Sequence, residues 1–357
     1  MSSKPFIFPF ISSKLKPSSG ATPAATTAVP TPLPNRPILT HLNADTTWLL
    51  LLPYPENISP SPPSKRYFRI LLDPWLSGPQ SDVFSWFSTQ WHAITPSLGS
   101  IKDVEEFIST IDGGDGNIDA VIISHEFTDH CHKATLLEVD KRVPVFANDK
   151  ACGIIRGWGH FENVVEVGRF MKGGDDGGGG WDWREKGRYE GVGLPGWIGI
   201  SRVESVGNAL YYHSSVMVVW EGGKGTATGD GGEEEEVECI LYTPHGTVES
   251  ALKELGNARP RLKVLGLMHG LHDVKLGVVR YKQLNLGMKN AVEVVRGLNG
   301  GDGVKYWVGT HDERKVAGGV VGRMLWRKAW TVEDINDDVG VEGCYVEVGN
   351  GESLVME

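Results

Sequence analysis

Sulfur, positive charge and long apolar runs are all scarce in this chain. Four cysteines (Cys131, Cys152, Cys239 and Cys344) are scattered over 357 residues with no paired spacing. That excludes a disulfide framework and a Cys-x-x-Cys metal knuckle, and implies reduced, mostly buried thiols. Cys131 alone is also a candidate ligand, because it lies inside the polar cluster described below. Lysine and arginine number 35 against 45 aspartates and glutamates, a net charge of −10. With no basic stripe to offset this balance, nucleic acid is not an expected partner. No stretch reaches the roughly 18 apolar residues of a membrane span. No Gly-x-Ser-x-Gly elbow is found, which disfavours a serine hydrolase.

Acid is missing before Asp45. Residues 1–40 are rich in Ser, Thr, Ala and Pro, a composition that buries too little surface to order itself, and a flexible tail is expected there. Lys4, Lys14, Lys16 and Arg36 in that tail give a mitochondrial address as the alternative to a cytoplasmic location.

Residues 41–357 read as one globular domain, with ordinary apolar (40%) and charged (22%) content. Strands are expected over Thr46–Leu52, Arg69–Leu72, Ala120–Ile123, Val143–Ala147 and Val164–Val167. In the second half they are expected over Trp197–Val203, Ala209–Trp220, Val237–Tyr242, Leu262–Met268 and Tyr306–Gly309. Helical spacing marks Ile101–Ile111, Thr135–Val139, Ala151–Trp158 and Met288–Leu298. Gly-rich loops cover 173–180 and 222–236; neither has the context of a phosphate-cradling loop. Trp86, Phe87 and Trp91 lie in the loop Ser77–Leu98, either walling a pocket or packing a lid onto the core.

The most informative stretch is Ala120–His132. A β-branched apolar run ends abruptly in three histidines and two acids within eight positions. The run reads as a buried strand, so the cluster sits in the loop at its C-terminal end, where α/β proteins place their chemistry. Neutral imidazole and carboxylate are zinc ligands when several converge. Later strands repeat the theme, ending in Pro244-His245, His269-Gly270-Leu271-His272 and Thr310-His311.

A strand entering His125-Glu126-Phe127-Thr128-Asp129-His130 resembles the His-x-His-x-Asp-His signature of the metallo-β-lactamase fold, with Phe127 in place of the second histidine. The resemblance is to the lactonase-like branch typified by ascorbate-6-phosphate lactonase, in a fungal offshoot, and spans residue 46 to the C-terminus. It implies an αββα four-layer sandwich and a metal centre. Carried over residue by residue, His125 and His213 fall to a first ion that has lost a ligand at Phe127. Asp129, His130 and His311 fall to a second. His245 stands where the family has a bridging aspartate, and an imidazole lone pair cannot bridge two ions.

The resemblance therefore implies one Zn²⁺ rather than two, with Mn²⁺ or Fe²⁺ as other candidates. Asp129, His130, His245 and His311 form the expected ligand set, and His125 and His213 stand nearby. Asp129, His125 and His213 are the candidates for catalytic roles, and Asp73 for a supporting one. The expected activity is metal-dependent hydrolysis of an ester, lactone or phosphodiester, acting on a small molecule. Lys315 would either pair with an anionic substrate or form a surface ion pair. The competing expectation is a catalytically inactive binding or scaffold protein; an iron-based oxygen or redox site is a third.

Overall fold

The computed structural model describes residues 6–9, 34–56, 58, 65–82, 84–112, 114–170, 189, 191–204, 211–221, 236–258, 260–277, 282–298, 304–336, 341 and 343–357. Two sheets dominate it. The first runs, in spatial order, Phe6–Pro9, Glu352–Val355, Ile38–His41, Trp48–Pro53, Tyr67–Leu72, Ala120–Ile123, Val145–Ala147 and Val164–Glu166. Its pairing is antiparallel up to Tyr67–Leu72 and parallel beyond. The second sheet runs Tyr345–Val346, Tyr306–Val308, Arg261–His269, Glu236–Thr243, Ser215–Trp220 and Ile198–Val203.

Alternation along the strands explains the layering. In Trp48–Pro53, Trp48, Leu50 and Leu52 face the second sheet, where they meet Ile200, Val218, Ile240 and Met268 in one shared core. Leu49 and Leu51 point the other way, onto Val104 and Ile108 of the helix Ile101–Asp112 and Ile155 of the helix Asp149–Gly157. The far face of the second sheet offers Met217, Val219, Leu241 and Leu267 to Val292 and Val295 of the helix Gly287–Gly297. A strand with period-2 side chains that are apolar on both faces must be covered on both faces. The result is the αββα sandwich expected from the motif.

The N-terminal segment departs from the expected tail. Phe6–Pro9 pairs with Glu352–Val355, and Ile38–His41 is an interior strand of the first sheet. Phe8 is buried, which a Ser/Pro-rich average over forty residues conceals. The glycine-rich segments 173–180 and 222–235 lie outside the described residues, as do positions 209 and 210 of the strand expected over Ala209–Trp220. Two small sheets were not anticipated. Lys282–Leu286, Asp273–Leu276 and Leu325–Lys328 make one, and Val316–Gly318 with Thr89–Trp91 makes the other.

Candidate metal centre

Four strand ends meet at one rim of the sandwich. Ala120–Ile123 delivers the loop to His130, Tyr67–Leu72 delivers Asp73, Glu236–Thr243 delivers His245, and Tyr306–Val308 delivers His311. A fifth contribution, Asp45, comes from the turn between Ile38–His41 and Trp48–Pro53, where Asn43 Oδ1 accepts from the backbone N–H of Asp45 and of Thr47. Two non-glycine residues among those described have left-handed backbone, Asp73 (φ 40°) and His311 (φ 60°). Such conformations persist where surrounding bonds over-determine them. His311 N–H is held by the Asp45 carbonyl at 2.9 Å, and Asp73 N–H by the Ile122 carbonyl at 3.0 Å.

Three imidazoles converge. The ring centroids of His130, His245 and His311 stand 5.0 Å (130–245), 5.0 Å (130–311) and 4.9 Å (245–311) apart. Each commits Nδ1 to a partner behind it. His130 meets Asp73 Oδ2 at 2.6 Å, His245 meets Asn285 Oδ1 at 2.9 Å, and His311 meets Asp45 Oδ1 at 3.0 Å. An Nδ1–H donated backwards leaves the Nε2 lone pair facing forwards, the arrangement metal-ligating histidines use. His130 Nε2 and His245 Nε2 lie 3.1 Å apart. With both Nδ1 positions donating, these are two acceptors face to face, a contact that needs a proton or a metal ion shared between them. The donor set therefore fits a divalent ion of the zinc type.

Asp129 stands beside this group, with Oδ1 3.7 Å from His130 Nε2 and Oδ2 3.8 Å from His311 Nε2. Its Oδ2 is held by Lys315 Nζ at 2.7 Å, and the same ammonium reaches Asp45 Oδ2 at 2.7 Å. Lys315 is almost wholly buried. This corrects the surface ion pair as well as the substrate contact considered for it: Nζ is committed to two buried carboxylates. Among the described residues, two sets of groups are close enough to share an ion. They are His130–His245–His311 and Asp45–Asp129–His311, with ligand atoms within 4.8 Å of one another in each set.

Neither set includes His125 or His213. His125 is buried, with its ring centroid 4.7 Å from His245 and 5.3 Å from His130, and its Nδ1 has no hydrogen-bond partner. His213 Nε2 meets the Leu284 carbonyl at 2.9 Å, so that nitrogen is spent on the small three-stranded sheet. Its neighbour Tyr212 faces the centre instead, 5.7 Å from the His245 ring, beside Phe127 at 5.8 Å. Where the resemblance implied a first ion, aromatic rings are packed.

Burial drives the His125 and His245 pKa values well below the ordinary range, reinforced by neighbouring imidazoles, and burial with Lys315 lowers that of His311. Burial opposes the charged form of His130 too, yet Asp129 and Asp73 outweigh it and raise its pKa. Burial likewise disfavours the Asp129 carboxylate, but Lys315, His130 and His311 reverse that and hold it well below the usual range.

The remaining histidines have ordinary uses. His132 Nδ1 accepts at the N-terminus of the short helix Lys133–Leu136, His269 bonds Asn290, and His272 Nδ1 accepts from Arg327. Cys131 is buried in the helix-side core of the first sheet, where burial pushes its thiol far up. Trp86 is 68% exposed and Trp91 42%, so neither packs a lid onto the core. Their loop is tied to the motif loop through Thr128, which bonds Gln80 and Asp82.

Two of these residues escaped sequence reasoning. Asp45 carries a usable signal, an Asn-x-Asp turn just before a strand; Asn285 carries none.

Comparison with known proteins agrees with this architecture. No protein-family model matches the chain, and no curated protein does. Solved structures do match. A hydrolase from Veillonella parvula, described as a possible metal-dependent one, superposes with a TM-score of 0.54 at 11% identity, over 90% of this chain and 99% of that one. The isothiocyanate hydrolase from Delia radicum gut bacteria gives 0.51 at 16% identity, over 90% and 99%. The layered α/β sandwich is shared with both of these structures. At such identities the likeness extends to the fold alone. No described helix is long and apolar enough to cross a membrane.

Proposed function

We propose that the chain is a metal-dependent hydrolase with one divalent ion, Zn²⁺ before Mn²⁺ or Fe²⁺, held by His130, His245 and His311. One observation carries this reading: three buried imidazoles each spend Nδ1 on a fixed partner and aim Nε2 at a common point. Three protein ligands leave a position open, as catalytic zinc sites do, whereas a fourth would close the site. Asp129, drawn aside by Lys315, is what keeps the set at three. An ion there supplies Lewis acidity, making a water acidic near neutrality and polarising an ester, lactone or phosphoryl oxygen.

The chain's own residues do the rest. Asp129 remains a carboxylate, with Oδ1 beside the imidazoles to accept a proton from the attacking water. His125, kept neutral by burial, packs edge-on against the His245 ring and helps to fix its place. Asp73, Asn285 and Asp45 fix the tautomers. The isothiocyanate acted on by one structural neighbour is an electrophile of the same general kind and belongs in the same screen.

The test is elemental analysis of purified protein, with an ester, lactone, phosphodiester and isothiocyanate screen before and after chelation. About one zinc per chain and chelator-sensitive turnover are expected. Bound metal without turnover on any class would point to the scaffold role, in keeping with Phe127; absence of both metal and turnover would sink the proposal.

A further inference from the structure

The second group of potential ligands already contains a cation. Asp45, Asp129 and His311 present their donor atoms within 4.8 Å of one another; with His311 Nε2 serving the three-imidazole set, a second ion here would be held by the two carboxylates and water. Lys315 Nζ lies 2.7 Å from Asp45 Oδ2 and 2.7 Å from Asp129 Oδ2. The Trp75 ring, buried and 5.4 Å from Nζ, covers the ammonium from another side. The backbone that carries it is fixed, because Val316–Gly318 pairs with Thr89–Trp91 immediately afterwards.

We infer that the Lys315 ammonium is a resident cation occupying the place of a second metal ion, and that it holds this centre to a single ion. The inference rests on the reading of His130, His245 and His311 as a metal centre. Two buried carboxylates need a positive partner, and either an ammonium or a divalent ion can supply it. The two cannot share the place, since like charges at ligand distance repel strongly in a buried setting. A second, independent feature points the same way. On the opposite side of the imidazoles the potential donor position is Phe127, stacked with His125 at 6.0 Å, so no third cation site opens there. Metal number is thereby set by two side chains, Lys315 and Phe127, that bind no metal themselves.

The experiment counts ions in the full chain. Metal-free protein is titrated with Zn²⁺ and followed by native mass spectrometry and elemental analysis, with circular dichroism to verify folding. Wild type is expected to saturate at one ion and Lys315→Met at two, a twofold change in stoichiometry. Lys315→Arg, which keeps a cation in place, should stay at one. So should Asp45→Asn combined with Lys315→Met, which removes one charge of each sign and guards against loss of folding. If Lys315→Met folds only when zinc is present, two ions per folded chain support the inference and one opposes it. Failure to fold at any zinc concentration also counts against it, because a divalent ion between the carboxylates would restore the charge balance. A folded Lys315→Met chain that stops at one ion overturns the inference, as does a wild type that takes two while retaining the hydrolase reading. A wild type that takes none overturns the metal centre itself.

Discussion

Replacing Asp73 by Asn changes one acceptor atom and little else, which makes it the cleanest probe of the centre. Asp73 Oδ1 accepts from Ser124 N–H at 2.7 Å. Its Oδ2 accepts from His130 Nδ1 at 2.6 Å, from Tyr242 Oη at 2.8 Å, and from Ser124 Oγ. Asparagine tolerates the left-handed backbone at φ 40° as aspartate does, so conformational strain is not introduced. The amide turns its NH₂ towards His130 Nδ1 and keeps its oxygen on the Ser124 backbone N–H, because an imidazole can move its proton and accept whereas a backbone N–H cannot. Ser124 can rotate its hydroxyl to accept, and Tyr242 retains the Thr46 carbonyl at 3.1 Å. The main loss is therefore the charge assistance of the contact to His130, a contact of a kind worth about 1.5–3 kcal/mol in all.

His130 then favours the tautomer with its proton on Nε2, which cannot ligate. Removing such an outer partner of a ligating histidine costs ~10- to 100-fold in metal affinity. The assay pairs competition for Zn²⁺ against a chromogenic chelator with urea unfolding of the metal-free chain. A dissociation constant within about twofold of wild type, beside a stability loss of roughly the size above, would show that Asp73 supports the fold without orienting a ligand. That would refute the reasoning.

Removing an imidazole of the converging set should be graver. His245→Ala is expected to lose more than the ~100-fold in zinc affinity typical of outer partners, whereas His213→Ala should keep the wild-type stoichiometry, since its Nε2 serves the Leu284 carbonyl; equal losses would reinstate His213 as a ligand. Acid should also weaken the fold through His41, buried against Trp48 with its pKa lowered to about 4 chiefly by burial. A folded pKa below the unfolded 6.5 means the unfolded chain takes the proton first. The contribution is then intact above pH 6.5 and falls by about 1.4 kcal/mol per pH unit towards pH 4. Urea midpoints of metal-free wild type and His41→Phe between pH 7 and 4.5 measure it, and identical slopes would rule it out.

Much of this arrangement could be read from local pattern. Ala120–Ile123 followed by His125 and His130 is a strand that stops where polar side chains begin, and strands alternating with helical spacings pointed to a layered α/β fold. His245 and His311 follow strands in the same manner. What was missed depends on facing and on partners distant in the chain. His213 and Tyr212 are adjacent, and a one-residue difference in facing decides which of them looks into the centre. Lys315 follows Asp312, Glu313 and Arg314, a charged run that reads as solvated; only the fold brings Asp45 to it from 270 positions away. The strands Val316–Gly318, Thr89–Trp91 and Tyr345–Val346 are too short to show a period.

The strand Glu352–Val355 lies between Phe6–Pro9 and Ile38–His41, hydrogen-bonded to both. A growing chain can therefore build the helical flank and the neighbourhood of His130 early, but one seam of the sheet stays unzipped until Glu352–Val355 has been made. Until then Ile38–His41 exposes an unpaired edge, the kind of surface on which nascent chains stick to one another. A chain truncated before Glu352 would keep every imidazole of the centre and still leave that edge of Ile38–His41 without its partner.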